Sequence, residues 1–382
     1  MPSVADCLRQ HAPAYLEKFG ERVPMGHRKV LGAITRCRTG ELGGVIYQCV
    51  DRDCGREHWV GRSCGNRHCP TCQIDKAAAW LEKQTSRLLP VHHFLVTFTV
   101  PQEVRMTLRA NQRDGYNGLF AAGRDTIRDV AGSTRSLRGC QLGFFGVLHT
   151  WGRDPTVYHP HVHFVVPGGG VLEDGKDGTK WLATPKDFLL HHGTAVKVYK
   201  AKFADAMREA GLYHQIPRKA WRGKWVVDIK PVGDGKSVLK YLAPYVYRVA
   251  ISDKRIVACD DKSVTFRYTP TGATQARTRS VIGTEFVRGF VQHVLPRGFQ
   301  KVRYVGWMSS NSRLGLDHVR WLVWLFLGWT YWLGSGYAPQ PERTVREPPR
   351  CAACGSAMRI VGILRMDCRV LVEHSVAYLD SG

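Results

Sequence analysis

The sequence HPHVH at residues 159–163 places histidines at alternate positions. On a β-strand successive side chains point to opposite faces, so His161 and His163 are predicted to share one face. Two imidazoles held on one strand can bind a single divalent ion. His149 ends the preceding apolar run and would add a third nitrogen if the two runs pair. The alternatives are that these histidines pack in the core, or that His159 replaces one of them as a ligand.

Two tyrosines, Tyr241 and Tyr245, lie four residues apart in a segment with helical character. Residues at this spacing share a helix face, so the two hydroxyl groups are predicted to be neighbours. A phenol has a pKa of about 10 and is a weak nucleophile at neutral pH unless it is activated. Lys240, Arg248 or a metal-polarised phosphate could activate it. The alternative is that both tyrosines pack the helix, and Pro244 between them would make the two hydroxyls inequivalent.

Six of the twelve cysteines fall between residues 37 and 72, and two histidines lie among them. Zinc prefers four thiolate or imidazole ligands, so eight candidates match two zinc sites, with a single ion as the alternative. The candidates are Cys37, Cys49, Cys54, His58, Cys64, His68, Cys69 and Cys72. We interpret Cys69 and Cys72 as a zinc knuckle and Cys49 and Cys54 as the pair opposing it. The alternative to zinc binding is that these cysteines are buried free thiols.

A further group of cysteines follows a proline-rich linker at residues 339–350. Two residues separate Cys351 from Cys354, thirteen separate Cys354 from Cys368, and His374 follows. This spacing could form a third zinc site, with its fourth ligand left open.

The balance of charges favours a nucleic-acid partner. The 382 residues carry 55 lysines and arginines against 32 acidic residues, a formal net charge of +23. Such an excess of positive charge is typical of proteins that bind a polyanion. Arg62 and Arg67 place part of this charge beside the predicted knuckle, which suits contact with phosphate. An acidic membrane surface is the rival partner.

The first twenty residues lack the apolar core that a signal peptide needs. The most apolar stretch, residues 321–333, is short of the roughly 20 residues of a membrane helix, so a buried or interfacial helix is favoured. We therefore expect a cytoplasmic protein without membrane contact. In that reducing compartment cysteines more often bind metal than form disulfides.

Strand-like and helix-like segments mix without a strict alternation, which predicts an α+β fold. Apolar β-branched runs predict strands at residues 93–100, 143–150, 161–166, 225–229 and 264–268. Apolar periodicity predicts helices at residues 75–89, 116–130, 199–210 and 237–248. We expect a zinc-binding unit at residues 1–90, a catalytic core at 91–310, and a C-terminal helix with a tail at 311–382.

Six blocks of sequence carry a resemblance to a known family. They are CRTGELGG at 37–44, SCGNRHCPTCQ at 63–73, HFLVTFTVP at 93–101, LHTWGRDPTVYHPHVHFVVPGGG at 148–170, YLAPYVYRVAIS at 241–252 and HVLPRGFQKVRYVGWM at 293–308. In this order they resemble the rolling-circle transposases of the insertion-sequence ninety-one family, within the HUH endonuclease superfamily. The resemblance covers most of residues 10–310.

The resemblance implies a zinc-binding domain followed by a catalytic domain with a central antiparallel sheet flanked by helices. It maps the histidine–hydrophobic–histidine motif of the family onto His161 and His163. The tyrosine motif maps onto Tyr241 and Tyr245. By analogy with related relaxases, His149 on the adjacent strand completes the metal site.

The implied activity is nicking and rejoining of single-stranded DNA at element ends, with structural Zn²⁺ and catalytic Mg²⁺ or Mn²⁺. Attack by a tyrosinate would leave a 5′-phosphotyrosine and a free 3′-hydroxyl. Single-stranded DNA of the element ends and target is the implied substrate, and the host replication machinery at the bacterial nucleoid is the implied partner. Two rival functions remain: a replication initiator or relaxase with the same HUH chemistry, and a non-catalytic zinc-dependent DNA-binding regulator.

Overall fold

The computed structural model describes residues 2–174, 178–247, 251–270, 273–335, 348–364 and 370–371. The helices are α1 (Val4–Phe19), α2 (Met25–Thr35), α3 (Ile74–Thr85), α4 (Arg105–Ala110), α5 (Gln112–Gly132), α6 (His192–Glu209), α7 (Arg218–Arg222), α8 (Lys236–Tyr247), α9 (Gly283–Val291) and α10 (Leu316–Ser335). The strands are β1 (Gly44–Cys49), β2 (Glu57–Gly61), β3 (His93–Thr99), β4 (Phe144–Trp151), β5 (Tyr158–Pro167), β6 (Gly169–Asp174), β7 (Gly178–Ala183), β8 (Val226–Pro231), β9 (Ile256–Cys259), β10 (Ser263–Tyr268), β11 (Arg277–Ile282), β12 (Val302–Val305), β13 (Met358–Leu364) and β14 (Val370–Leu371). The predicted α+β class is confirmed.

A five-stranded sheet with the order β12-β4-β5-β3-β8 forms the centre of the protein, and every neighbouring pair is antiparallel. Strand β5 lies in the middle and is buried along nearly its whole length. Such burial on both faces explains its valine and phenylalanine content. Helices α5 and α6 cover one face, where Phe98 and Phe164 pack. The other face carries Phe145 and Val165 and packs against α3, α8 and α10.

A second hydrophobic core brings the N-terminal residues 4–37 into contact with residues 251–294. Helices α1 and α2 pack against α9 and against the three-stranded sheet β11-β10-β9. Leu8, Ile34 and Phe266 are fully buried in this core. Ser3 caps α1 with a reciprocal hydrogen-bond pair to Asp6, which fixes where the first helix begins. The N-terminal helices are therefore anchored on elements that come late in the chain.

A third sheet joins residues that the sequence analysis assigned to separate units. Strands β1 and β2 form an antiparallel ribbon, and β13 pairs with the free edge of β1 to give the order β14-β13-β1-β2. Gly44 lies opposite Leu364 and Cys49 opposite Met358 in this ladder. The segment after the linker thus completes the N-terminal ribbon, where the sequence analysis expected an independent tail.

The apolar stretch near residue 320 forms helix α10, as predicted. Its inner side contributes Val319, Leu322 and Val323 to the core, whereas Trp321 and Trp324 are largely exposed. The helical backbone is interrupted at Gly328, which has a φ of 77°. Among the described residues, no helix combines the length and apolar character that a bilayer crossing requires.

Residues 168–170 turn the chain out of the central sheet into the hairpin β6–β7. A Cβ atom on Gly169 would lie 2.5 Å from the carbonyl oxygen of Leu182, and one on Gly170 would lie 2.8 Å from Cβ of Cys140. The glycines therefore permit close approach of two chain segments as well as ending β5. Strand β5 itself begins at Tyr158, three residues before the predicted start at His161, so Pro160 lies inside the strand.

Candidate active site and metal centres

Three histidines converge on one face of the central sheet, and we call them the histidine cluster. His149 on β4 lies opposite His161 on β5, and His163 follows two positions along β5 on the same face. The ring centroid of His149 lies 5.2 Å from that of His161 and 4.5 Å from that of His163. Their ligand nitrogens all lie within 4.8 Å of one another. The structure thus brings together His161 and His163, which strand alternation selected, and His149, which depended on the pairing of the two strands.

Hydrogen bonds behind the cluster fix the orientation of two imidazoles. Nδ1–H of His161 donates to the backbone carbonyl of His159 at 2.7 Å. Nδ1 of His163 lies 2.8 Å from the hydroxyl oxygen of Thr97, which faces it from β3. Both Nε2 atoms are then turned toward each other, 3.1 Å apart. Outer partners of this kind set the tautomer and the direction of a metal-binding histidine.

The spacing of these nitrogens fits a common metal ion. Two nitrogens bound to one ion at about 2.0–2.1 Å lie about 2.9–3.4 Å apart, depending on coordination geometry. The distance of 3.1 Å between Nε2 of His161 and Nε2 of His163 falls in this range. An all-imidazole set suits Mn²⁺, Co²⁺, Ni²⁺ and Zn²⁺ better than Mg²⁺, which prefers oxygen. Three protein ligands also leave coordination positions for substrate oxygens.

Burial keeps the cluster in its neutral, metal-binding form. Desolvation lowers the pKa of His161 to about 4, and the nearby charge of Arg105 acts in the same direction. Burial likewise holds the pKa values of His149 and His163 well below the usual range. Neutral imidazole is the form that binds metal, so these side chains need no deprotonation at pH 7.

His159, the rival ligand, lies outside the histidine cluster. The structure uses its backbone carbonyl to orient His161, and its ring centroid lies 5.1 Å from that of His161. Burial lowers the pKa of His159 to about 3. The three ligand nitrogens that meet in the described residues come from the other histidines.

Helix α8 carries Tyr241 to the histidine cluster. The helix packs on the same face of the sheet, where Leu239 and Leu242 are buried in the core. The phenol ring of Tyr241 meets the ring of His163 edge-on, with centroids 6.1 Å apart. The side chain of Tyr241 is 48% exposed, so it borders both the buried histidines and the solvent. Tyr245 belongs to the same helix, but its side chain lies outside the described residues, as does Arg248.

Four of the predicted zinc ligands form a compact group, which we call the knuckle cluster: Cys37, Cys64, Cys69 and Cys72. The sulfur of Cys37 lies 3.4 Å from that of Cys72 and 3.8 Å from that of Cys69. The backbone N–H of Cys64 donates to the sulfur of Cys37. Cys37 and Cys69 are buried in the second core against α1 and α2. Cys37, and not the Cys49 and Cys54 pair, therefore opposes the predicted knuckle.

Cys49 and Cys54 meet Cys351 and Cys354 instead, and we call these four residues the ribbon cluster. Their sulfur atoms also lie within 4.8 Å of one another. The predicted third site is thus wrong in its grouping, because pairing of β13 with β1 carries the C-terminal cysteines to the N-terminal ribbon. Cys368 and His374 lie outside the described residues.

The two histidines proposed as zinc ligands lie elsewhere. His58 is exposed on the edge strand β2, opposite Tyr47. His68 is buried, and its Nε2 accepts a hydrogen bond from the backbone N–H of Leu295 at 3.1 Å. Arg67 beside it donates to the carbonyl oxygen of Phe299. These neighbours of the knuckle therefore attach it to residues 295–299, whereas the sequence predicted zinc binding for His68 and phosphate contact for Arg67.

Comparisons with known proteins agree with this architecture. Residues 143–314 match the family described as "Putative transposase", and residues 7–100 match "Transposase zinc-binding domain". A relative from Sinorhizobium fredii, named "Putative transposase y4qJ", is 35% identical over 332 residues, which cover 82% of this chain and 81% of the relative. The chain belongs to the insertion-sequence ninety-one family of transposases. The transposase for insertion sequence element IS801 of Pseudomonas savastanoi pv. phaseolicola is 28% identical over 292 residues, covering 72% of this chain and 68% of that one.

No solved structure matches the chain. The resemblance drawn from the six sequence blocks is confirmed, and the protein is a DNA-processing enzyme with a zinc-binding domain and DNA as its substrate.

Several residues around the histidine cluster of this transposase were not predicted from the sequence. Trp151 stacks on His149 with ring centroids 6.0 Å apart and an interplanar angle of 11°. The ammonium of Lys301 lies 4.8 Å from the centroid of the Trp151 ring, and burial lowers its pKa to about 7. Thr97 could have been found, because strand alternation places it on the face of β3 opposite the buried Val96 and Phe98. Lys301 carried no such signal, since its neighbours on the sheet are set by long-range strand pairing.

Proposed function

We propose that this transposase cuts single-stranded DNA at the ends of its element by covalent attachment to Tyr241, and rejoins it by the reverse step. One observation carries the proposal: a half-exposed phenol lies against three converging, neutral histidines on a rigid sheet. A phenol at the mouth of such a cluster can reach a phosphate that the histidine site orients. The family assignment supplies DNA as the substrate.

The proposed reaction is an in-line displacement at the phosphorus of the scissile phosphate. The oxygen of Tyr241 forms a bond to phosphorus, the bond from phosphorus to the 3′-oxygen breaks, and that oxygen takes up a proton to become a 3′-hydroxyl. The phenolic proton passes to solvent, which reaches the exposed part of Tyr241. Attack by a 3′-hydroxyl on the phosphotyrosine reverses these steps without ATP, because the link conserves the energy of the original bond.

His149, His161 and His163 would hold the catalytic ion. When bound, a divalent ion supplies Lewis-acid charge that favours attack on the scissile phosphate. The imidazole ligands favour Mn²⁺ over Mg²⁺ for this task. Arg105 adds positive charge near the cluster, which suits a polyanionic strand. Thr97 and the carbonyl of His159 keep the ligand nitrogens in place.

A rolling-circle course follows from this chemistry. The free 3′-hydroxyl could be extended by the host replication machinery while the 5′ end stays attached to the protein. Tyr245, one helical turn from Tyr241, is proposed as the acceptor of a second strand. Two tyrosines would allow two transfers without release of the first end.

The proposal is tested with labelled single-stranded DNA from the element ends, incubated with Mn²⁺ or Mg²⁺ and resolved on a denaturing gel. Wild type should give a labelled protein band, and Tyr241→Phe should lose it. Tyr247→Phe, on the same helix, is the matched control and should keep it. Tyr245→Phe and the double variant show whether the second tyrosine acts.

Loss of the adduct in Tyr241→Phe with retained DNA binding supports the proposal. An adduct that persists in both Tyr241→Phe and the double variant would refute a tyrosine nucleophile at this helix. Mobilisation of a marked element in cells separates a transposase from an origin-nicking initiator that uses the same residues.

A further inference from the structure

The ribbon cluster draws half of its sulfur ligands from beyond the region that matches the zinc-binding family. That match ends at residue 100, whereas Cys351 and Cys354 lie near the other end of the chain. We propose that Cys49, Cys54, Cys351 and Cys354 bind a structural zinc ion separate from that of the knuckle cluster, and that this ion fastens residues 348–364 to the N-terminal ribbon.

The sulfur positions fit a tetrahedral ion. Four thiolates at about 2.3 Å from one zinc lie about 3.8 Å from each other. The sulfur of Cys54 lies 3.8 Å from that of Cys351, and the sulfur of Cys49 lies 3.4 Å from that of Cys354. The knuckle cluster shows the same separations, between 3.4 and 3.8 Å for its closest pairs. Both groups are therefore built to the same ligand spacing.

The backbone supplies an independent sign of two zinc knuckles facing each other. Each pair of cysteines is followed at once by a glycine with a positive φ: Gly55 at 52° and Gly355 at 77°. The N–H of Gly55 donates to the carbonyl of Asp51, and the N–H of Gly355 donates to the carbonyl of Cys351. These tight turns direct the preceding cysteine sulfur back over its partner. Gly65, directly after Cys64 in the knuckle cluster, has the same conformation with a φ of 59°.

The small sheet has too little apolar core to hold itself together. Its described core consists of Cys49, Cys351 and Met358, with Tyr47 and Cys54 packed against them. Four of the five residues of β2 are exposed. Sheets with so few buried side chains usually need a metal or a disulfide for stability. A zinc ion between the two turns would supply that stabilisation where burial does not.

Cysteine-to-serine variants of the full-length chain test the proposal, with zinc counted by atomic emission. Cys351→Ser/Cys354→Ser should bind one zinc fewer than wild type, and so should Cys64→Ser/Cys72→Ser. Cys140→Ser, a partly buried cysteine outside both clusters, is the matched control and should keep the wild-type count. Substitution with Co²⁺ isolates the thiolate sites from the histidine cluster, because only sulfur ligands give thiolate charge-transfer absorption. That absorption should fall by half in each double variant.

Two further measurements distinguish the loss of a zinc ligand from misfolding of the whole variant. Cys354→His offers imidazole in place of thiolate and should retain the zinc that Cys354→Ser loses. Hydrogen exchange of the β1 amides should accelerate in Cys351→Ser/Cys354→Ser, while the β4 and β5 amides stay as protected as in wild type. A double variant that keeps the full zinc count and the full charge-transfer absorption would overturn the proposal.

Discussion

The histidine cluster and the two cysteine clusters gather their side chains in different ways. The histidines lie on neighbouring strands of a buried sheet, held by hydrogen bonds from Thr97 and from the carbonyl of His159. The cysteines lie on turns, and in the ribbon cluster they come from segments 297 residues apart. Three ligands leave an ion open to substrate, whereas four close it. The comparison therefore separates a three-ligand group, which leaves coordination positions open, from two four-ligand groups, which fill a tetrahedral site.

The largest effect on folding is expected at the knuckle cluster. Cys69→Ser removes a ligand that is fully buried in the second core, so the free energy of unfolding should fall by on the order of 4 kcal/mol. Cys354→Ser removes an exposed ligand beside a small sheet and should cost less, about 1–2 kcal/mol. Urea unfolding followed by circular dichroism measures both. Equal losses would contradict the distinction between a core site and a peripheral one.

At the histidine cluster, substitutions should reduce DNA cleavage strongly but change the stability of the fold little. His161→Gln is expected to reduce DNA cleavage by about 1000-fold, because several kcal/mol of charge stabilisation at the phosphate are lost. Its melting temperature should stay within a few degrees of wild type. His159→Gln is the control: its ring is not in the cluster, so it should cleave at nearly the wild-type rate. A severe loss in His159→Gln would restore that residue as a ligand.

A smaller effect is expected from the hydrogen bond behind His163. Thr97→Val removes the hydroxyl that lies 2.8 Å from Nδ1, and it should weaken binding of Mn²⁺ by about 10–100-fold. Thr97→Ser keeps the hydroxyl and should bind nearly as well as wild type. Titration calorimetry on the two variants decides whether orientation or packing is the role of Thr97. Equal weakening in both would favour packing.

The smallest effect concerns a buried histidine that is not a ligand. His293 has a pKa lowered to about 3 by burial, against about 6.5 in the unfolded chain. Its neutral form stabilises the fold above pH 6.5, and this stability is lost as the pH falls from 6.5 toward 3. Between pH 6.5 and 5 the loss amounts to about 1.6 kcal/mol for one such group. His293→Gln should lose correspondingly less in urea unfolding at the two pH values, and an unchanged loss would show that His293 does not titrate as described.

Local patterns were sufficient to predict which histidines meet in the histidine cluster. His161 and His163 follow from strand alternation, and His149 from the pairing of two adjacent apolar runs. The central strands lie within a few residues of their predicted positions, because alternation and β-branched content are properties of short segments. Tyr241 also lies in a helix, as predicted. Its role as the nucleophile remains a proposal that the adduct assay tests.

Long-range pairing explains what sequence patterns could not predict. Counting ligands assigned His58 and His68 to zinc, since they lie among the cysteines, but strand β2 exposes one and Leu295 engages the other. The ribbon cluster depends on the β1–β13 ladder, which no spacing within either segment reveals. Trp151 and Lys301 meet beside the histidine cluster for the same reason. Side chains that act through tertiary neighbours require the fold before they can be named.

Cys54 and Cys351 are 297 residues apart, so they are synthesised at different times. A ribosome that adds about 5–20 residues per second needs about 15–60 seconds to pass from one to the other. The strands of the histidine cluster, by contrast, are neighbours along the chain and can pair within moments of synthesis. The ribbon cluster therefore closes only after Cys354 has been made, so its zinc would be bound well after the strands of the histidine cluster have been synthesised.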